Sequence, residues 1–193
     1  MGKENKKVYF GDFTAKCHLD NKDYFDEEGN LLLEEITGNA GLCGWNGNAK
    51  NLIKIGGIAD FRNWKGSADK LIEIGSHASF DNWKGTANNL ISIGGDAYFR
   101  FWEGSLNQLK TIGGAVYLKN WKGTAPLLSE SYIFSELIGS RREICKFDKK
   151  TKLFFTGCFK GNEEELIEAV TKRHFVESRY YIEYMNFIEI CNK

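Results

Sequence analysis

Residues 52–66 read L-I-K-I-G-G-I-A-D-F-R-N-W-K-G, and residues 109–123 read L-K-T-I-G-G-A-V-Y-L-K-N-W-K-G. The pattern recurs every 19 residues, and its clearest markers are Trp45, Trp64, Trp83, Trp102 and Trp121. A fixed period of this length is typical of repeat proteins in which each repeat is one structural unit. The consensus of this unit is L-I-x-I-G-G-x-A-x-F-x-N-W-K-G-T-A-x-x.

The columns of the repeat predict β structure. Ala and Phe alternate with variable residues, which is the period-two pattern of a strand buried on one face. We expect positive φ angles at the glycine pair, as in Gly56-Gly57, because glycine adopts them without steric cost. Asn63, Asn82 and Asn120 each precede a tryptophan, and this asparagine column is expected to hydrogen-bond along the stack. The segment G-x-A-x-x-L is too short for a stable helix and predicts a single turn.

These features predict a mainly β protein, a single-stack β-solenoid with 19 residues per coil. Two helices per repeat would not fit between its glycine corners. One coil cannot bury its own apolar face, so five coils over residues 34–128 are expected to stack about 4.8 Å apart. The tryptophan column is expected to pack in the core or at a corner rather than to form a ligand-binding ladder. Which way the column faces stays open at this stage.

Residues 1–33 lack the repeat and are predicted to form an N-terminal β cap. Val8–Phe10 and Phe13–Leu19 have the composition of strands, and Asp26–Asn30 that of a turn. A cap is expected because the open strand edges of a solenoid otherwise invite association with other chains.

Residues 129–193 are predicted to form a C-terminal cap with two helices, Glu163–Arg173 and Ser178–Cys191, that close the end of the stack. Asn162, followed three residues later by glutamate, predicts a capping box for the first helix. Phe159–Asn162 resembles the W-K-G corner of the repeat, two repeat lengths after the last tryptophan. It is either a degenerate closing coil or a coincidence, and the sequence leaves both interpretations open.

Composition and charge limit the function classes. Basic and acidic residues cancel at 26 each, so the net charge does not indicate a polyanionic partner. The five cysteines are scattered and contain no CxxC pair, which argues against a disulfide framework or a zinc site. No apolar run approaches the length that spans a membrane. We therefore expect a soluble cytoplasmic protein that does not bind membranes.

No catalytic, metal-binding or cofactor-binding motif is evident. His18, His77 and His174 have no metal-ligand spacing. Adjacent strand residues such as Cys17 and His18 point to opposite faces and make a poor nucleophile–base pair. Cys43 has no basic neighbour that would activate its thiol. Since P-loop, GxGxxG and GxSxG motifs are also missing, we expect a non-enzymatic protein without metal or cofactor.

The variable outward columns of a repeat are free to specify a partner. In the last two coils these columns place tyrosines and basic residues on one strand face, and Phe101 stands where other coils have Asn or Gly. Tyr and Arg are enriched at binding hot spots. The predicted partner-binding residues are Arg62, Tyr98, Arg100, Phe101, Tyr117 and Lys119. A mixed, solvated strand face is the alternative.

Two other function classes stay open. Nucleic acid is a less favoured partner, through two basic stripes: Arg62, Arg100 and Lys119, and Lys65, Lys84 and Lys122. Acidic residues interrupt the continuous positive path that phosphates need: Asp60, Asp81, Asp96 and Glu103. A structural, self-associating repeat protein is the other alternative, and the sequence does not specify the oligomeric state.

The pattern L-x-x-I-G-G-x-A-x-F-x-N at Leu52–Asn63, Leu71–Asn82 and Leu109–Asn120 resembles short leucine-rich-repeat-like β-solenoids of bacteria and phages. The resemblance covers about residues 34–128, and Phe159–His174 looks like the short helical end of such phage-associated proteins. The Trp-Lys-Gly corner departs from that pattern. The resemblance implies an interaction role and transfers no catalytic residue. By analogy with anti-CRISPR inhibitors, it implies a protein partner such as a host defence nuclease or ribonucleoprotein, whose surface the chain would occlude.

Overall fold

The computed structural model describes residues 7–18 and 22–193. Within these residues two parallel sheets run along the stack, and each coil contributes one short strand to each sheet. The first sheet contains β1 (Val8–Tyr9), β3 (Glu35–Ile36), β5 (Lys54–Ile55), β7 (Glu73–Ile74), β9 (Ser92–Ile93) and β11 (Thr111–Ile112). The second contains β2 (Phe13–Thr14), β4 (Ala40–Gly41), β6 (Ala59–Asp60), β8 (Ala78–Ser79), β10 (Ala97–Tyr98) and β12 (Val116–Tyr117). The predicted β-solenoid is confirmed.

Like residues of successive coils lie directly opposite one another. Ile36 pairs with Ile55 in the first sheet, and Ala59 pairs with Ala78 in the second. The predicted turn is also present, because the Leu71 N–H donates to the Ala68 carbonyl at 3.0 Å and equivalent bonds recur in other coils. The register of the stack therefore follows from the repeat itself.

The segment before the repeat extends both sheets by one longer coil. Val8 pairs with Glu35, and Phe13 pairs with Ala40. The predicted strands are confirmed at Val8–Tyr9 and Phe13–Thr14, but the second is shorter than expected: a 3-10 turn begins at Ala15, and Leu19 lies outside the described residues. Phe13 is buried in the alanine column, so a large side chain covers the first coil at a position where later coils have a small one.

The glycine pairs are required by close stacking and not by positive φ, so that expectation was wrong. Among the described glycines, positive φ angles occur elsewhere and not at Gly56 or Gly57. A Cβ atom at Gly56 would overlap the carbonyl oxygen of Thr37, and one at Gly57 would overlap the Asn39 side chain. At the sheet spacing of about 4.8 Å, the backbones leave no space for a side chain there.

The asparagine column is where the corner adopts positive φ. Asn63, Asn82 and Asn120 have φ angles of 54°, 55° and 57°, and Gly44 at the same column position has 62°. In this corner the Trp64 N–H donates to the Phe61 carbonyl at 3.1 Å, three residues earlier. The third residue of such a turn favours Gly or Asn when its φ is positive.

The expected ladder of asparagine side chains is wrong. In the part of the chain that the structure describes, the side chains of Asn63, Asn82 and Asn120 are exposed and make no hydrogen bond. A polar column after the tryptophan corner forms the ladder instead: the Ser67 N–H donates to Asn48 Oδ1 at 3.1 Å, and the Thr86 N–H to Ser67 Oγ at 3.2 Å.

The tryptophan column faces the interior, as expected for core packing. Trp64, Trp83 and Trp102 are fully buried, and neighbouring rings are stacked with centroids 5.3 Å apart. Each buried indole N–H needs an acceptor. It donates to the corner glycine of the preceding coil, as Trp83 Nε1 does to the Gly66 carbonyl at 2.7 Å. Since Trp64, Trp83 and Trp102 are buried and pack against other rings, these three offer no free surface to a ligand, whereas Trp121 at the end of the column is half-buried.

Beyond the last coil and a short helix, α1 (Leu128–Ser131), a four-stranded antiparallel sheet follows. It contains β13 (Tyr132–Ile138), β14 (Glu143–Asp148), β15 (Leu153–Thr156) and β16 (Phe159–Gly161). Phe159–Asn162 is therefore not a closing coil, because Phe159 pairs antiparallel with Thr156. No sequence feature had predicted this sheet.

The two predicted C-terminal helices are confirmed as α2 (Glu163–Arg173) and α3 (Arg179–Cys191). The capping box is present, since the Asn162 side chain accepts from the Glu165 N–H at 2.9 Å. Both helices pack on one face of the sheet around Cys145, Phe147 and Phe154. The other face carries Tyr132 and Lys146 against the last coil. The helices thus close the stack through an intervening sheet.

Candidate functional site

The structure brings four of the six predicted binding residues into one groove of about 320 Å³: Tyr98, Arg100, Tyr117 and Lys119. The opposite wall comes from the strands and turn of the C-terminal sheet: Leu137, Arg141, Arg142, Glu143 and Ile144. Phe101 follows Arg100 at the adjacent corner and is exposed, whereas Arg62 lies two coils earlier and outside the groove. We call this groove, together with Phe101, the docking face.

Two stacked tyrosines form the rigid base of the docking face. The rings of Tyr98 and Tyr117 are parallel within 1°, with centroids 4.4 Å apart. The Tyr117 hydroxyl donates to the Gly157 carbonyl at 3.1 Å, which ties the last coil to the C-terminal sheet. Burial raises the pKa of both tyrosines. Both hydroxyls therefore remain protonated at neutral pH, and the Tyr117 proton is used in the bond to the Gly157 carbonyl.

Arg100 is held in place by the preceding coil. Its backbone N–H donates to Asp81 Oδ1 at 2.9 Å, and its Nε donates to Asp81 Oδ2 at 2.9 Å. The guanidinium carbon also lies 5.6 Å from the centroid of the Tyr98 ring. This hydrogen bonding to Asp81 raises the pKa of Arg100. A planar cation is therefore presented beside the tyrosines without the freedom of a surface side chain.

Arg62 is engaged within its own coil. Its Nε and one terminal nitrogen donate to the Asp60 carboxylate at 2.8 and 2.7 Å. The carboxylates that interrupt the basic stripe in the sequence thus pair directly with its arginines. Because Asp60 and Asp81 neutralise Arg62 and Arg100, no continuous positive path runs along this stripe.

The junction with the sheet carries unpaired positive charge. In residues 7–18 and 22–193, Lys119 and Arg141 make no ion pair or side-chain hydrogen bond. Arg142 pairs with Glu183 at 2.9 Å, and the lining of the groove includes one acidic side chain, Glu143. No sequence feature indicated Arg141 or Arg142, because their turn lies outside the repeat and reaches the groove only through the fold of the sheet.

Phe101 combines exposure with an unfavourable backbone. Its φ is 58°, the value that Asn63 and Asn82 adopt at the same column position, and 47% of the residue is exposed. A bulky residue in this region costs on the order of 1–3 kcal/mol unless its surroundings compensate. Among the described residues no aromatic ring packs against Phe101. Aromatic stacking within the solenoid therefore does not account for this side chain.

The described residues contain no group of three or more His, Cys, Asp or Glu side chains that could hold a metal ion. No helix among them is long and apolar enough to cross a bilayer. Burial raises the pKa of the Cys145 thiol, so this buried cysteine is a poor nucleophile. Comparison of the chain with protein-family models, curated proteins and solved structures found no match.

Proposed function

We propose that this chain is a non-catalytic protein-binding solenoid whose partner docks on the docking face. The observation that carries the proposal is Phe101, which is exposed at a left-handed backbone position where other coils place Asn or Gly. The left-handed backbone at Phe101 lowers the stability of the free chain, and burial of the ring by a partner would compensate for this cost. Exposed aromatic residues beside tyrosine and arginine are the composition of binding hot spots.

The docking face is organised before binding. Tyr98 and Tyr117 fix each other by stacking, and Arg100 is fixed by Asp81. Side chains that are already ordered lose little conformational entropy when a partner is bound, which favours affinity. The Ala and Trp columns beneath make the coils rigid, so the face can cover a surface of the partner without rearrangement.

A protein is favoured over nucleic acid for electrostatic and steric reasons. Arg62 and Arg100 are compensated by carboxylates, which leaves Lys119 as the unneutralised member of the stripe and breaks the continuous positive path that phosphate binding requires. The parallel rings of Tyr98 and Tyr117 are stacked on each other, so a base cannot insert between them. Occlusion of a partner's surface is the mode of action that this geometry supports, and a bacterial defence complex is the class of target that the resemblance implies.

The experiment is a pull-down from a bacterial lysate followed by measurement of the affinity for the recovered protein. Tyr98→Ala, Arg100→Ala and Phe101→Asn are expected to weaken binding by about tenfold or more each, as hot-spot substitutions do. Lys84→Ala, on the exposed corner of an earlier coil, is the matched control and is expected to bind normally. Unchanged affinity in all three variants would contradict the docking face. Recovery of nucleic acid with a steep salt dependence, or of this chain alone, would contradict a protein partner.

A further inference from the structure

A second cavity, of about 260 Å³, lies between the C-terminal sheet and α2. Its floor is apolar and includes the buried side chains of Ile138, Leu166 and Val170. Its lining also includes two exposed arginines, Arg141 from the β13–β14 turn and Arg173 from the last turn of α2. An apolar floor with a few convergent polar groups is the usual form of a small-molecule site.

The side chains that line this cavity carry a net positive charge. Within the described part of the chain, Arg141 and Arg173 make no ion pair or side-chain hydrogen bond. The His174 ring lies over Tyr184, with centroids 6.5 Å apart, and both residues line the cavity. Burial raises the pKa of Tyr184, which keeps its hydroxyl protonated as a donor. Glu143 is the one acidic residue in the lining.

We propose that this cavity binds a small anionic ligand, a carboxylate or phosphate carried on an apolar body. The apolar body would fill the floor, and Arg141 and Arg173 would hold the anionic group at the rim, since guanidinium groups bind both carboxylate and phosphate through paired N–H donors. The volume is below the roughly 300–1,000 Å³ of sites for drug-sized molecules, so the ligand is of the size of a substituted benzene. The site is distinct from the docking face, although Arg141 and Glu143 border both.

The test is a titration of the full chain with phenyl phosphate and with benzoate, followed by NMR of the His174 and Tyr184 side chains. At least one of the two probes is expected to shift both residues, with a Kd of about 1 mM or tighter. Arg173→Ala is expected to weaken that binding about tenfold, because a charge-assisted hydrogen bond is lost. Lys172→Ala is the matched control: it has the same charge in the same helical turn, but Lys172 pairs with Glu168 at 2.6 Å and does not line the cavity.

Three results would overturn the proposal. The first is the absence of shifts with both probes up to about 10 mM, well above the expected Kd. The second is equal affinity for inorganic phosphate, which would remove the role of the apolar floor. The third is an equal loss in Arg173→Ala and Lys172→Ala, which would indicate general electrostatic attraction. Since Arg173 does not line the docking face, none of these results bears on partner binding there.

Discussion

The ammonium group of Lys146 lies 2.6 Å from the carbonyl oxygen of Ile112 and donates a hydrogen bond to it. The N–H of Ile112 donates to the Tyr132 hydroxyl at 3.1 Å. In the preceding coil the equivalent carbonyl, that of Ile93, accepts from the Gly113 N–H at 2.9 Å. Two side chains of the C-terminal sheet thus replace the next coil. An open strand edge is a template for association, and this arrangement closes it at Ile112.

Lys146→Met is expected to lower stability by about 1–3 kcal/mol, because the Ile112 carbonyl is left buried without a donor. Burial lowers the pKa of Lys146 from 10.5 to about 8. Between these values the unfolded chain binds a proton that the folded chain lacks, so the free energy of unfolding of the native protein rises with pH.

Because the variant lacks this titration, the stability difference between the native protein and Lys146→Met is expected to grow from pH 8 to pH 10. The slope is at most roughly 1.4 kcal/mol per pH unit. Urea unfolding at several pH values measures it. The titration of tyrosines affects both proteins and cancels in the difference. A stability difference that stays constant with pH would contradict the lowered pKa of Lys146.

Phe101→Asn is expected to stabilise the chain by about 0.5–2 kcal/mol, because Asn tolerates the left-handed backbone that Phe101 occupies at a cost. For a chain of this length, that corresponds to an increase in Tm of a few degrees. Thermal unfolding followed by circular dichroism measures the shift. Asn82→Phe, the reverse change one coil earlier, is the matched control and is expected to destabilise. A lower Tm for Phe101→Asn would show that the ring contributes to packing.

Gly85→Ala is expected to destabilise the coils severely, by about 3 kcal/mol or more, because its Cβ would overlap the Gly66 carbonyl oxygen. Displacing that carbonyl also disturbs the acceptor of the Trp83 indole. Lys84→Ala, one residue earlier and exposed, is expected to change stability by less than about 0.5 kcal/mol. Unfolding in guanidinium chloride measures the stabilities of the two variants. Similar stabilities would contradict the close approach of the coils at this corner.

Tyr117→Phe is expected to cost about 1 kcal/mol through the loss of its hydrogen bond to the Gly157 carbonyl, while the ring stack with Tyr98 is kept. Amide hydrogen exchange is expected to become faster in the turn between β15 and β16. Tyr98→Phe is the matched control, since its hydroxyl makes a long hydrogen bond of 3.5 Å to Asp96, on a coil, and not to Gly157. Equal exchange in both variants would show that this bond does not tie the sheet to the coils.

The solenoid could be predicted because each side chain in a stack meets a copy of itself. Once the period of 19 residues is known, the burial of Ala59, Phe61 and Trp64 follows from their columns. The physical roles of the glycine pair and of the asparagine column were not predictable in the same way. A positive φ angle occurs at Asn63 and not at Gly56 or Gly57. Glycine is required at Gly56 and Gly57 because the backbones of successive coils approach closely there, and a single repeat does not reveal this distance.

The sequence by itself determined the coil, its register, the two C-terminal helices and the outward position of Tyr98, Arg100, Tyr117 and Lys119. Only the tertiary structure decided what stands opposite those residues. The sheet formed by β13–β16 has no repeat, and its antiparallel pairing depends on contacts between its strands and with the last coil. The position of Arg141 and the second cavity both result from that packing. The side chains that meet there are distant in sequence and do not belong to the repeat, so no sequence period predicts their contact.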